Sequence, residues 1–416
     1  MTVRPRWVFV AVVLVSLLAL ARTQLYYGTL FRGWDAQYYY AVARSAAFDG
    51  DLDITNDLLA TPTPKPFDPD GDGTFWRVPR LDGGRIWSKY PIGLSVVEVP
   101  PLLVGRAIRG VVEAAGVPVA GPPGYSNVEF WAVAVGLVLV FAWSVAELYR
   151  LLAADYGTAA ALVGVAGGWA GTSLFFYSAV FPFMAHALSF AALVAVMRVA
   201  RDLERGAPAN RGVALLGLAL GTLFLVRPQQ VVIAAFLVPT LLRIARDRPV
   251  TAWLPGATVG FAAGLALVGL QLAFNYTQRG VWALNTYAAG GEGFDFTNPN
   301  LSIVLTSESR GLVRFSPVVM LAVVGYAWCW RSLPVHAWAA GLNLVAQLYL
   351  IASWSSPDQG IAFGGRMWCD NAAAVSVGLA APVSRLPTPG RAAVAALTAA
   401  GVGWTTYLMA RYVLDG

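Results

Sequence analysis

Long apolar segments separated by short polar connections run through the whole chain. We interpret eleven of these segments as helices that cross a hydrocarbon layer of about 30 Å. They lie at residues 7–21 and close to 127–148, 159–178, 181–200, 212–227, 229–245, 251–273, 312–330, 335–353, 369–384 and 391–411. The pattern predicts an all-α polytopic membrane protein. Residues 1–416 are expected to form one integral membrane domain, without a soluble C-terminal domain.

Composition supports this interpretation and excludes a soluble protein with a single buried core. Hydrophobic residues make up 57% of the chain, charged residues make up 12%, and the mean hydropathy is +0.60. Burial in one soluble core cannot account for so much apolar surface.

The net charge of +6 is best explained by membrane orientation, so we expect no nucleic-acid partner. Ten arginines fall in connections between apolar segments, at 198–211, 243–248, 330–331 and 385–391. The positive-inside rule places these connections in the cytoplasm, together with the N-terminus. The apolar segment that follows the basic N-terminus lacks a convincing small-residue cleavage site, so a retained first span is favoured over a signal peptide.

The apolar segment 91–108 is an exception among these segments, because it contains Glu98, Pro100, Pro101 and Arg106. The later basic connections all become cytoplasmic only if this segment does not cross the membrane. We therefore predict an interfacial or re-entrant helix here. Residues 22–126 then form a long first extracytoplasmic loop, and residues 274–311 form a second one.

The first loop opens with an aspartate surrounded by aromatic residues, in the stretch Gly33-Trp34-Asp35-Ala36-Gln37-Tyr38-Tyr39-Tyr40. The spacing of residues 35–48 suits a helix lying on the membrane surface. Asp35 is either the N-cap of this helix or a reactive carboxylate at the interface, where aromatic side chains can also stack on sugar rings. Trp34, Gln37 and Tyr38 are candidates for lining a substrate cavity.

Four cations on the same predicted side are candidates for binding a phosphate. Lys89, beside Tyr90, either extends to the lipid headgroups or offsets the charge of a leaving phosphate. Arg227 breaks the positive-inside rule, which indicates a specific partner. Arg310 and Arg366 either anchor the chain at the interface or hold an anion, and the paired glycines before Arg366 permit a close backbone approach.

Two ionisable residues inside apolar segments, Glu98 and His186, are further candidates for the cavity. Intramembrane ionisable groups are often functional, although His186 is also explained as a packed, hydrogen-bonded residue. No cofactor or catalytic metal is expected, and a divalent cation remains an open alternative. The spacing of Asp68, Asp70 and Asp72 resembles a calcium loop, but hydrated turns are favoured because Pro79 replaces the final glutamate.

Taken together, these motifs resemble the GT-C membrane glycosyltransferases over most of the chain. The resemblance rests on Gly33-Trp34-Asp35, on Lys89-Tyr90-Pro91, on residues 310–317 and on Phe363-Gly364-Gly365-Arg366. It implies a polyprenyl-phosphate sugar donor, a lipid or glycan acceptor, and an inverting transfer outside a bacterial cytoplasmic membrane. Asp35 matches the family's first-loop aspartate, and the cations follow in the order Lys89, Arg366, Arg310, Arg227. Some members carry an adjacent acidic pair, whereas Ala36 follows the aspartate here.

Two alternatives remain open from the sequence. A transporter or flippase of a lipid-linked glycan would share the aromatic interface and the basic residues, but it predicts charged residues along a path at mid-membrane. A non-catalytic scaffold would not explain the grouping of Asp35 with Lys89, Arg310 and Arg366 on one side.

Overall fold

The computed structural model describes residues 3–31, 33–60, 81, 84–360 and 362–415, without the side chain of Trp34. Its regular elements are helical, and an isolated β-bridge joins Phe294 to Trp354. The α-helices are α1 (Pro5–Tyr27), α2 (Trp34–Arg44), α3 (Thr55–Ala60), α4 (Gly93–Ala114), α5 (Asn127–Tyr156), α6 (Thr158–Ala170), α7 (Ala185–Glu204), α8 (Ala209–Val226), α9 (Ile233–Phe236), α10 (Val238–Asp247), α11 (Leu254–Arg279), α12 (Leu301–Thr306), α13 (Leu312–Phe315), α14 (Val318–Cys329), α15 (Val335–Ala352), α16 (Ala372–Arg385) and α17 (Thr388–Asp415).

The all-α membrane architecture is confirmed, whereas the count of eleven spans is not. Six of the described helices are long and apolar enough to cross a membrane: α1, α5, α8, α11, α15 and α17. A bent pair, formed by residues 228–236 and α10 with an angle of 46° between them, raises the number to seven.

Several predicted spans are interrupted where proline or glycine ends the helix. The span predicted at 159–178 stops at Ala170, and a π-helix follows at Phe176–Val180. Pro317 separates α13 from α14. Because proline lacks an amide hydrogen and its ring clashes with the preceding turn, an apolar run that contains it does not continue as one helix.

The helix α4 lies across one end of the bundle, which we call the Asp35 end. Its Gly93 packs against Leu225 and Val226 in the last turn of α8, and its Gly105 packs against Glu129 in the first turn of α5. The N-terminus and the middle of α4 thus meet helix termini, and α4 is not among the candidate spans. The adjoining loop also contains α2, which carries Asp35.

The opposite end of the bundle is held by a buried polar network centred on His336 in α15. Its two ring nitrogens lie 3.0 Å from Asp155 Oδ2 of α5 and 2.8 Å from Glu204 Oε2 of α7. Arg201 and Arg205 each bring a guanidinium nitrogen within 2.7 Å of Asp155 Oδ1. Some of the arginines that follow the positive-inside rule therefore also connect helices.

The helices α8 and α11 pack through glycines, so that their backbones touch. A Cβ added at Gly217 would lie 2.5 Å from the backbone of Gly260, whereas one added at Gly269 of the same helix pair would meet nothing within 4 Å. Close approach through small residues is a common way for membrane helices to associate.

We expect Gly217→Ala to lower the thermal unfolding temperature of the detergent-solubilised protein, because α8 and α11 must separate. The cost is about 1–3 kcal/mol, as for other overpacked sites. Gly269→Ala is the matched control, and it should leave the melting temperature unchanged or raise it slightly. Equal melting temperatures for the two variants would show that the helices do not touch at Gly217.

Candidate functional site

Asp35 is not the N-cap of its helix. Gly33 occupies that position, with φ at 116°, and Asp35 lies one residue inside the first turn. A Cβ at Gly33 would lie 3.2 Å from the Phe181 ring, so both the left-handed backbone and the close packing favour glycine there. The carboxylate is therefore available for contacts outside its own helix.

Both oxygens of the Asp35 carboxylate have partners from distant parts of the chain. Oδ2 lies 2.9 Å from Nη1 of Arg366, and Oδ1 accepts a 2.8 Å hydrogen bond from the Tyr90 hydroxyl. Burial alone would raise the pKa of the Asp35 carboxyl, but Arg366, Tyr90 and Lys89 together hold that pKa below its usual value. In this state Asp35 is a charged, fixed carboxylate.

Arg366 is aimed at Asp35 by a rigid turn. Gly364 has a φ of +58°, and a Cβ there would collide with Oγ of Ser173. The Tyr177 hydroxyl accepts a hydrogen bond from the amide of Phe363 at 3.0 Å and donates one to its carbonyl at 3.2 Å. The paired glycines of this motif therefore position the arginine, in agreement with the close backbone approach that the sequence indicates.

A second charged cluster lies beside the first and centres on Asp370. Nε of Arg227 lies 3.2 Å from Oδ2 of Asp370, and Nδ1 of His186 lies 2.7 Å from Oδ1. Arg227 thus has the specific partner that its position predicts. The 3₁₀-helix Arg366–Asn371 carries Asp370 in the same short segment as Arg366, which joins the two clusters.

His186, Cys369 and Asp370 are the group best placed to hold a metal ion within the described residues. Their ligand atoms lie within 4.8 Å of one another, and all three side chains are buried. The Arg227 guanidinium already neutralises the Asp370 carboxylate, and the Cys369 thiol donates to the Arg366 carbonyl at 3.0 Å. The positive charge of Arg227 beside Asp370 does not favour a further cation there. The calcium hypothesis for Asp68, Asp70 and Asp72 lies outside the described residues.

Lys89 is held by the second long loop. Its ammonium lies 2.6 Å from Oε1 of Glu292 and within 5.6 Å of the ring centres of Tyr90 and Tyr287. The Thr286 hydroxyl donates a 2.5 Å hydrogen bond to the Lys89 carbonyl. Lys89 is half-buried between aromatic rings, which is not the arrangement of a side chain that extends freely to lipid headgroups.

Each of the four predicted cations is paired with a carboxylate. Arg366 is paired with Asp35, Lys89 with Glu292, Arg227 with Asp370, and Arg310 with Asp358 at 3.8 Å. An anionic ligand must therefore share each of these cations with a carboxylate or displace it. The pairs with Asp35, Glu292 and Asp358 are partly exposed, whereas the Asp370 carboxylate is fully buried, so the first three are the accessible ones.

The structure brings together some of the predicted site residues and separates others. Tyr38 packs against the Tyr90 ring with 5.5 Å between centroids. Gln37 is buried in α2. Glu98 is fully buried in α4, and no hydrogen bond or ion pair between described residues joins it to Asp35, so its assignment to the same cavity gains no support. The Trp34 side chain lies outside the described part of the chain.

Three residues that complete the site were missed as site residues by the sequence analysis. They are Tyr287 and Glu292, which hold Lys89, and Asp370, which holds Arg227 and His186. Asp370 follows Arg366 by four residues in an otherwise apolar segment, and this was a usable signal. Glu292 lies in a polar loop, where nothing in the local pattern distinguishes it.

Comparison with known proteins identifies the fold. No family model and no curated protein sequence matches the chain. Two solved structures of ArnT from Cupriavidus metallidurans resemble it: one bound to undecaprenyl phosphate, with a TM-score of 0.53 and 14% sequence identity, and one in the apo state, with a TM-score of 0.50 and 13% identity. Both alignments cover 93% of this chain, which spans 61% and 60% of the respective ArnT chains. The protein therefore has the fold of these ArnT structures.

Proposed function

We propose that this protein is an inverting glycosyltransferase that moves a sugar from a polyprenyl phosphate to an acceptor hydroxyl. The observation that carries the proposal is the Asp35 carboxylate, fixed by Tyr90 and Arg366, with Lys89 nearby. The ArnT structure of the same fold, which contains undecaprenyl phosphate, supports a polyprenyl phosphate as the lipid partner. The acceptor is a lipid or a glycan.

The residues suit a single displacement at the anomeric carbon. Asp35 takes the proton of the acceptor hydroxyl while the hydroxyl oxygen attacks from the face opposite the phosphate. The bond between the sugar carbon and the phosphate oxygen breaks, and its electron pair leaves with the polyprenyl phosphate. Lys89 and Arg366 receive that charge in a site with little water, where fixed cations stabilise it strongly. The sugar is transferred with inversion.

Arg366 has two roles in this mechanism. In the ligand-free structure it neutralises Asp35. A phosphate competes for the same guanidinium, because a planar fork binds phosphate and carboxylate equally well in geometry. Donor binding thus withdraws positive charge from Asp35 and adds negative charge beside it. Both changes make the carboxylate a stronger base just when the sugar arrives.

This leads to a prediction about the pH dependence of the reaction. The acid limb of the pH profile of kcat/KM reports the pKa of Asp35 in the free protein. The acid limb of the kcat profile reports the pKa of Asp35 in the donor complex. Since the pKa of Asp35 in the free protein lies below its usual value, kcat/KM should persist below about pH 4. The acid limb of kcat should lie at higher pH, because the donor phosphate raises the pKa. Steady-state rates measured across the acid range, with recovery at neutral pH as a stability control, test this order. Coincident limbs would contradict it.

We place the protein in a bacterial cytoplasmic membrane, with the N-terminus in the cytoplasm and the Asp35 end facing outward. The arginine-rich connections lie at the other end of the bundle, near Asp155 and Glu204, and this supports that orientation.

The decisive assay measures transfer from radiolabelled polyprenyl-phosphate sugars to a bacterial membrane extract, using the purified protein in liposomes. Enzymatic transfer forms a new labelled product. A transporter of lipid-linked glycans would instead move the label between the two leaflets and form no product. Movement without a product from any of a series of donor sugars would refute the proposed enzyme.

A further inference from the structure

A continuous row of aromatic side chains leads away from the Asp35 site over the second long loop. We call it the aromatic ridge, and its members are Tyr287, Trp354, Phe294, Phe296 and Tyr349. It begins at Tyr90, whose hydroxyl binds Asp35. Successive ring centroids are separated by 6.0 Å (Tyr90 to Tyr287), 5.4 Å (to Trp354), 4.7 Å (to Phe294), 5.3 Å (to Phe296) and 6.2 Å (to Tyr349).

The outer part of the ridge is exposed and its rings are nearly parallel. Phe294, Phe296 and Tyr349 are 45%, 50% and 42% exposed. The planes of Phe294 and Phe296 differ by 4°, and those of Phe296 and Tyr349 differ by 20°. Exposed apolar patches of this kind often mark binding surfaces.

The backbone holds these rings in place. The amide of Asp295 donates to the Ser353 carbonyl at 2.7 Å, and the amide of Ser355 donates to the Gly293 carbonyl at 2.9 Å. The Tyr349 hydroxyl donates to the Phe296 carbonyl at 2.6 Å. The ridge is therefore fixed before any ligand arrives, which reduces the entropy lost on binding.

We propose that the aromatic ridge binds the carbohydrate chain of the acceptor and leads its reacting hydroxyl to Asp35. The proposal rests on the proposed function for the identity of the reaction. A sugar ring has apolar C–H groups on its faces and hydroxyls around its edge. Flat aromatic rings cover the faces, and polar side chains bind the edge. The loop supplies such polar groups beside the rings, at Glu292, Asp295, Thr297 and Asn298.

Two features favour a carbohydrate over a lipid tail as the occupant. The ridge is continuous with Tyr90 and thus with Asp35, and in the proposed reaction it is the acceptor hydroxyl, and not the donor's lipid tail, that reaches this carboxylate. Its exposed rings also alternate along the chain with the polar Asp295 and Thr297, and an isoprenoid or acyl chain has no hydroxyls to use them. Interfacial anchoring in the membrane is the competing explanation for exposed aromatic residues.

The test replaces Phe294 and Phe296 with leucine, which keeps apolar surface for a membrane but removes the flat rings. Phe261→Leu, at an exposed phenylalanine of α11 that is 69% accessible, is the control. Binding of linear tetrasaccharides of glucose, mannose, galactose and arabinose is measured by saturation-transfer NMR on the full-length protein in nanodiscs. We expect at least one to bind, with affinity about tenfold lower in the double variant, and unchanged in the control.

Absence of binding by all four tetrasaccharides, or equal binding by the double leucine variant, would overturn the proposal and leave an interfacial anchor. The measurement does not depend on catalysis, and Asp35→Asn should bind the tetrasaccharide as the wild-type protein does. A protein that binds glycans through the ridge but forms no transfer product would refute the proposed enzyme and retain the ridge. Sugar transfer with the same acceptor KM in the double variant as in the wild-type protein would refute the role of the ridge and retain the proposed enzyme.

Discussion

The Asp35→Asn substitution should lower the rate of sugar transfer by about 10²–10⁴-fold, which is the usual contribution of a positioned general base. Asparagine has the same shape as aspartate but cannot take the acceptor proton. The polyprenyl phosphate should bind the variant at least as tightly as the wild-type protein, because Arg366 no longer has a carboxylate to release. Initial rates of transfer and equilibrium binding of undecaprenyl phosphate, measured on the same preparation, separate the two effects.

The matched control for this variant is Asp247→Asn, which removes a carboxylate from the last turn of α10, where Asp247 lies 3.5 Å from the exposed Arg243 and outside the Asp35 contacts. The rate of donor hydrolysis by water should be compared as well. A variant that cannot activate an acceptor hydroxyl should still bind the donor as tightly as the wild-type protein does. Full activity of Asp35→Asn at equal expression would remove the carboxylate from the mechanism and leave the cations as the remaining catalytic groups.

Arg366→Lys should be the second most damaging of these substitutions, with a loss of about 10–100-fold in kcat/KM for the donor. The lysine keeps the positive charge at position 366, so an ion pair with Asp35 can still form. A compact ammonium on a flexible stem cannot offer the planar fork that serves carboxylate and phosphate in turn. Steady-state kinetics with varied donor, together with a thermal unfolding curve, measure the effect.

Arg310→Lys provides the comparison, since Arg310 lies 3.8 Å from the exposed Asp358 and outside the Asp35 contacts. We expect its donor kinetics to remain close to those of the wild-type protein. An equal loss in both variants would place Arg310 in the phosphate site, in agreement with the original grouping of four cations. Retained activity in Arg366→Lys would show that charge alone suffices at that position.

The ion pairs also explain why the cations could be recognised from the sequence while their roles could not. Each predicted cation lies next to an apolar segment, and this position alone marked it as unusual. The sequence gives no means of ranking them, because the ranking depends on the carboxylate that each one meets. Lys89 and Glu292 are 203 residues apart, and His186 and Asp370 are 184 apart. Such pairs form only when the helices that carry them have packed.

The continuity of the helices shows the same difference between what the local sequence reveals and what packing decides. Hydropathy located α1, α5, α8, α11, α15 and α17 well, because the length of an apolar run and its periodicity are local properties. It overestimated the runs near Ala170 and Pro317, where the chain turns within apolar sequence. Apolar residues there are buried against neighbouring helices rather than against lipid, and hydropathy does not distinguish these two environments.

By itself, the sequence determined that this is an all-α membrane protein with a first-loop aspartate, a Lys-Tyr-Pro motif and a Gly-Gly-Arg motif, which together resemble those of the GT-C family. These features depend on the apolarity of segments and on short motifs, both of which are local. Only the tertiary structure decided that Arg366 and Tyr90 meet at Asp35, that Glu98 is buried without a hydrogen bond to Asp35, and that an aromatic ridge leads out from the site. Those arrangements join residues far apart in sequence, because packing of the helices sets the distances between them.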